Sequence, residues 1–67
     1  MIVVNGERAE LHAGETLMAV LASLGLTVTT PGVAIAVDRE VVPRAEWETF
    51  ALAEDARVEV LTAMQGG

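Results

Sequence analysis

Nothing in this chain can staple it together through a disulfide or a thiolate metal site, because cysteine is absent from its 67 residues and His12 is the only imidazole. A chain that short buries only about 60% of the surface its extended form exposes, so aliphatic packing in one compact core has to stabilise it. The material is present, with 52% hydrophobic residues against one tryptophan and one phenylalanine. The length allows a single domain. No repeat, low-complexity stretch or linker divides it, and residues 1-61 are read as the folded part, with 62-67 as a flexible tail.

Local patterning indicates how the core is assembled. Ile2-Val3-Val4 and Glu7-Arg8-Ala9-Glu10-Leu11 flank Asn5-Gly6, the strongest short signal for a β-hairpin. Leu17, Val20, Leu21 and Leu24 follow the i, i+3, i+4, i+7 spacing of one buried helical face, with Thr16 placed to cap the start and Gly25 to end it. A helix of about two turns needs docking onto a sheet to persist. Val33-Ala34-Ile35-Ala36-Val37 is an unbroken apolar run and is read as a buried strand, turned back at Asp38-Arg39 into Glu40-Val41-Val42. Pro43, which has no N–H, stops that strand. Arg44 to Glu48 are read as an irregular turn around Trp47, itself a partly buried cover for the sheet edge with partner contact as a lesser role. Arg57-Val58-Glu59-Val60-Leu61 alternates, which points Val58 and Val60 inward.

The order β-β-α-β-β-β predicts an α+β roll, one mixed sheet of four to five strands with the helix across one face. The other face stays largely uncovered. Leu61 and other outward apolar residues are then expected to form a patch too apolar for plain solvent, a candidate partner surface.

Several function classes are disfavoured at this level. No apolar run approaches the roughly 18 residues that span a membrane, and Met1 leads directly into Ile2-Val3-Val4 without a basic leader, so a cytoplasmic chain without a membrane partner is expected. Ten acidic residues against four arginines give a net charge of −6, which argues against nucleic acid and for basic protein partners, although solubility alone would explain it. With no cysteine and one histidine, the serines and threonines lack an activating set, so enzymatic activity by the chain itself is not expected. His12 is read as a hairpin-end surface residue. Glu46/Glu48 and Glu54/Asp55 are read as solvated acids, since their spacing matches no metal loop.

The terminal Gly66-Gly67 is different, because no packing or turn requirement explains two glycines there. Without Cβ atoms they form the thinnest peptide, able to thread a narrow channel and present the α-carboxylate of Gly67 to another protein's active site. That carboxylate, with a pKa near 3.5, is an anion with almost no electrophilicity and needs activation. Conversion to an acyl-adenylate provides a leaving group that sulfur can displace, leaving a thiocarboxylate. The chain has no cysteine to hold a competing persulfide and no lysine to attack an activated acyl group, although an arginine-preferring genome would also lack lysine.

These residues resemble the ubiquitin-like sulfur carriers, most closely the ThiS-type carriers of thiamine biosynthesis. The resemblance covers essentially the whole chain. It rests on Asn5-Gly6-Glu7, Gly14-Glu15-Thr16-Leu17, Val33-Ala34-Ile35-Ala36-Val37, Val41-Val42-Pro43-Arg44 with Trp47, and the ending from Val58 to Gly67. The Val-Pro-Arg plus Trp element is its most specific part. The resemblance implies a β-grasp (ubiquitin-like) fold with the first and last strands parallel at the sheet centre. It also implies adenylation of Gly67 by an E1-like adenylyltransferase of the ThiF type that uses ATP, the chain itself binding no cofactor. Sulfur would come from a donor such as a cysteine desulfurase and go to a ThiG-type thiazole synthase. Gly66, Gln65 and Met64 would lie in the partners' channels. One departure is Ala53-Glu54-Asp55-Ala56-Arg57, where the family commonly has an Asp-Gly-Asp type turn. Three alternatives remain at this point: the small subunit of molybdopterin synthase, a conjugating modifier of the ubiquitin type, and a β-grasp regulatory or ligand-binding module.

Overall fold

The computed structural model describes residues 1–63. Strands β1 (Ile2–Val4) and β2 (Glu7–Ala9) pair antiparallel in the register Val4 to Glu7. Asn5 (φ 51°) and Gly6 (φ 81°) both occupy the left-handed region that a two-residue turn of this hand requires. Asn5 does more than turn the chain: its Oδ1 accepts the Val60 N–H at 2.8 Å, and its own N–H donates to the Val58 carbonyl at 2.8 Å.

Helix α1 (Leu17–Ser23) buries Leu17, Val20 and Leu21. Thr16 occupies the N-cap position, but its hydroxyl makes no capping bond. A segment for which no element was expected does that work instead. Residues 50–52 run antiparallel to 14–17, with the Leu17 N–H on the Phe50 carbonyl, Gly14 N–H on Leu52 and Leu52 N–H on Glu15, at 2.8–3.2 Å. At the other end Gly25 (φ 76°) donates to Ala22 and Leu26 donates to Leu21, the paired bonds of a glycine-terminated helix. Leu24, expected on the buried face, is the C-cap and 43% exposed, because the chain leaves the helix there. Leu26 packs against the core in its stead.

Strands β3 (Val33–Val37) and β4 (Glu40–Val42) join through Asp38 and Arg39, both at positive φ, and a single 3-10 turn (Arg44–Glu46) leads to Trp47. Strand β5 (Arg57–Thr62) runs one residue beyond the stretch its alternation marks. The unbroken apolar run of β3 is buried on one face only: Val33, Ile35 and Val37 are inside, whereas Ala34 is exposed. Before β5, the turn at 53–56 closes with the Ala56 N–H on the Ala53 carbonyl at 3.1 Å. Asp55 supplies the positive φ (65°), and Ala56 is buried in the core.

The five strands form one mixed sheet in the order β2-β1-β5-β3-β4. β5 lies at its centre, parallel to β1 and antiparallel to β3. With α1 across one face this is a β-grasp fold. The core between helix and sheet joins Ile2, Leu17, Val20, Leu21, Ile35 and Val58 to Trp47, Leu52 and Ala56.

Candidate functional site

Side chains alternate across a strand, so each residue between two core positions points away from the helix. On β5 these are Arg57, Glu59 and Leu61; on β3 they are Ala34 and Ala36. Register then decides which of them meet. Ala34 lies opposite Leu61, and Ala36 lies opposite Val41 on one side and Glu59 on the other. Leu61 is 68% exposed and Val41 76%, so the two alanines lie between two large apolar side chains open to solvent. At the other end of the same face, Val3 pairs with Arg8 and Arg57, and a cleft of about 480 Å³ between the Asn5-Gly6 and Asp38-Arg39 turns is lined by Val3, Arg39, Arg57 and Glu59. The whole-chain charge of −6 therefore does not describe this face, whose outward strand positions carry two arginines and one glutamate.

Trp47 does not belong to that surface, and the reading of it as a partly buried cover for the sheet edge, with partner contact as a lesser role, is corrected. It is 1% exposed, and its indole Nε1 donates to the Val42 carbonyl at 2.8 Å, satisfying the one polar atom that burial would otherwise penalise. Arg44 lies over its ring, 4.5 Å from the centroid, within cation–π range. The guanidinium also donates to the carbonyls of Val28, Thr30 (3.0 Å) and Val33 (3.4 Å). In the sequence Val42-Pro43-Arg44 and Trp47 stand out as a motif, but nothing local gives Arg44 a task. The three-residue spacing around a helical turn, which brings i and i+3 side chains together, was the available signal.

At the end of β5, Thr62 pairs with Val33, and the Ala63 N–H donates to the Gly32 carbonyl at 2.7 Å. Thr62 and Ala63, read from the sequence as tail, are thus tied to the sheet and the preceding loop. Met64, Gln65, Gly66 and Gly67 lie outside the described residues.

His12 is exposed, and its backbone N–H donates to Glu15 Oε2 at 2.6 Å. The acid pair Glu54/Asp55 is not merely solvated: the Met1 ammonium lies 2.5 Å from Glu54 Oε1 and 3.6 Å from Asp55 Oδ1. The hydrogen bond to Glu54 holds that ammonium's pKa above its ordinary value of 8.0. Among the described residues no group of three or more His, Asp or Glu side chains is placed to hold a metal, and no helix is long and apolar enough to cross a membrane.

The fold is shared with solved structures. A crystal structure of a thiamine biosynthesis protein (ThiS) from Geobacter metallireducens superposes with a TM-score of 0.73 at 22% identity, covering 98% of this chain and 97% of that one. An NMR solution structure of a thiamine biosynthesis protein from Geobacter metallireducens gives 0.72 at 24% identity, covering 98% and 86%. No curated protein sequence matches. The model of the ThiS family matches residues 2–67, which takes in the open sheet face, the Arg44–Trp47 pair and the terminal glycines, and the chain accordingly belongs to the ThiS family.

Proposed function

We propose that this ThiS-type sulfur carrier is a protein cosubstrate whose reactive group is the α-carboxylate of Gly67. In this reading the carboxylate attacks the α-phosphorus of ATP in the active site of an E1-like, ThiF-type partner, and pyrophosphate leaves. The terminal sulfur of a donor persulfide, such as that formed by a cysteine desulfurase, then displaces AMP to give an acyl disulfide, and a thiol reductant cleaves its S–S bond, becoming a disulfide itself and leaving a thiocarboxylate. A ThiG-type thiazole synthase takes the sulfur and returns the carboxylate. The observation that carries the reading is the family match through residue 67, over a chain with no cysteine and one exposed histidine to compete as reacting groups.

The open sheet face supports the need for partners. Leu61 and Val41 expose apolar area that contributes nothing to this chain's own core, and Leu61 lies two residues before Ala63, at the root of the carrier terminus. Met64, Gln65 and Gly66 would then be the residues that enter a partner's channel.

Intact mass tests the proposal. After incubation with ATP, an E1-like partner and a sulfur donor, the chain should gain the difference between one sulfur and one oxygen at Gly67, and thiazole synthase with its substrates should reverse the gain. No gain with a competent partner would refute it. A gain reversed only by molybdopterin synthase would move the chain to that pathway.

A further inference from the structure

One contact ties Ala63, the last of the described residues, to the loop before β3. The Gly32 carbonyl accepts the Ala63 N–H at 2.7 Å, and the two backbones lie so close that a Cβ on Gly32 would stand 3.0 Å from the Ala63 Cβ. Gly32 also has φ +72°, where a side chain is disfavoured whatever the space around it. The loop that carries Gly32 has no regular element between α1 and β3, so something else must hold its shape. Arg44 does so from outside, with its guanidinium bonded to the Val28, Thr30 and Val33 carbonyls on both sides of Gly32. Thr27 reinforces the loop from within, its N–H donating to Thr30 Oγ1 at 3.0 Å. Arg44 in turn rests on the buried Trp47 ring, so a continuous set of contacts runs from the core to Ala63.

We infer that Gly32 and Arg44 are positioning residues for the carrier terminus, fixing Ala63 and thereby the point from which Gly67 reaches a partner's active site. The inference rests on the carrier reading above. Four residues follow Ala63, and a chain of four spans at most about 14 Å, so an anchored Ala63 turns residue count into a defined reach. Releasing the anchor would free Ala63, adding a residue whose conformations must be lost before the Gly67 carboxylate meets ATP. Misplacement of a reacting group by about 1 Å can cost about a hundredfold in rate.

The test uses the full chain, ATP and the E1-like partner, with initial rates of pyrophosphate exchange followed as the carrier concentration is varied. Arg44→Ala, Gly32→Ala and an insertion of one glycine between Ala63 and Met64 should each lower kcat by about ten- to a hundredfold while KM for the carrier moves less than about threefold. A fold defect alone would act otherwise, lowering the folded concentration and raising the apparent KM. The insertion lies beyond the anchor and should leave thermal unfolding unchanged. Adding Ala63→Gly to Gly32→Ala removes the Cβ that the new methyl meets and should recover part of the lost kcat. The Ala63 amide should be protected from hydrogen exchange in the parent chain and exchange faster in Arg44→Ala. Unchanged kcat in all three variants, or an unprotected Ala63 amide in the parent chain, would overturn the inference while leaving the carrier reading intact. A parent chain that takes no adenylate would instead sink the carrier reading, and the inference with it.

Discussion

The two faces of the sheet are made from alternate residues of the same strands, yet they follow different rules. Toward the helix, Ile2, Ile35 and Val58 are at most 1% exposed, and Val4, Val37, Val42 and Val60, the cross-strand partners of Ile35 and Val58, are at most 7%. Away from it, Val41 and Leu61 are more than two-thirds exposed, and charged and small residues lie among them. A covered position is constrained by packing, where one missing methylene is felt; an open position is constrained only by what docks on it. Sequence variation should therefore be read separately for each face. On the covered side it reports on stability, and on the open side on partners.

The severest way to probe that division is to empty the covered side. Trp47→Ala removes the largest buried side chain, the hydrogen bond to Val42 and the surface under Arg44, and should cost about 3–5 kcal/mol, close to the whole stability of so small a domain. Urea unfolding followed by far-UV circular dichroism should show a largely unfolded variant in buffer. Adjacent residues on β3 give a sharper contrast. Ile35→Ala should cost about 2–4 kcal/mol in the same assay, whereas Ala34→Ser, one residue away on the open side, should stay within about 0.5 kcal/mol. Equal losses would break the comparison. Leu61→Ser should likewise leave stability within about 0.5 kcal/mol but, on the proposed function, should weaken binding to an E1-like adenylyltransferase, measured by calorimetry, by about tenfold.

The smallest effect concerns pH. The Met1 ammonium has a raised pKa in the folded chain, so its stabilising contact with Glu54 is fully present below the unfolded value of 8.0 and is lost as pH rises through the folded value. Between about pH 7 and about pH 10, the parent chain should lose slightly more stability than Glu54→Gln, which lacks that carboxylate. Identical slopes would remove the ion pair from the account.

Much of the covered face was legible in the sequence, because local rules produce it. Asn5-Gly6 can take positive φ, Gly25 can end a helix, and the 3.6- and 2-residue periods mark which side chains turn inward. Other features depend on residues far apart in the chain. The parallel pairing of Val3 and Val4 with Arg57 and Val58 came only through family resemblance, since no local pattern encodes it. Residues 50–52 bond to 14–17 through backbone groups, which every sequence has, so nothing marked them. Trp47 was placed too near the surface because a lone tryptophan between charged neighbours looks exposed, and only the Val42 carbonyl shows how its indole can be buried. The outward position of Leu61 follows from alternation alone. The Gly32 contact does not, because one glycine in a Pro-Gly turn carries no sign of what will lie against it.

The central place of β5 also bears on the order in which the protein is made. Synthesis from the N-terminus delivers β1, β2, α1, β3 and β4 first, and the two hairpins can each close as they emerge. Neither hairpin pairs with the other directly, because β5, which pairs with both β1 and β3, follows them in the chain. A chain broken off before residue 57 therefore lacks the strand that joins the two hairpins into one sheet. On the carrier reading proposed above, the strand that completes the sheet also leads into the residues that would react, so an abortive product would lack both.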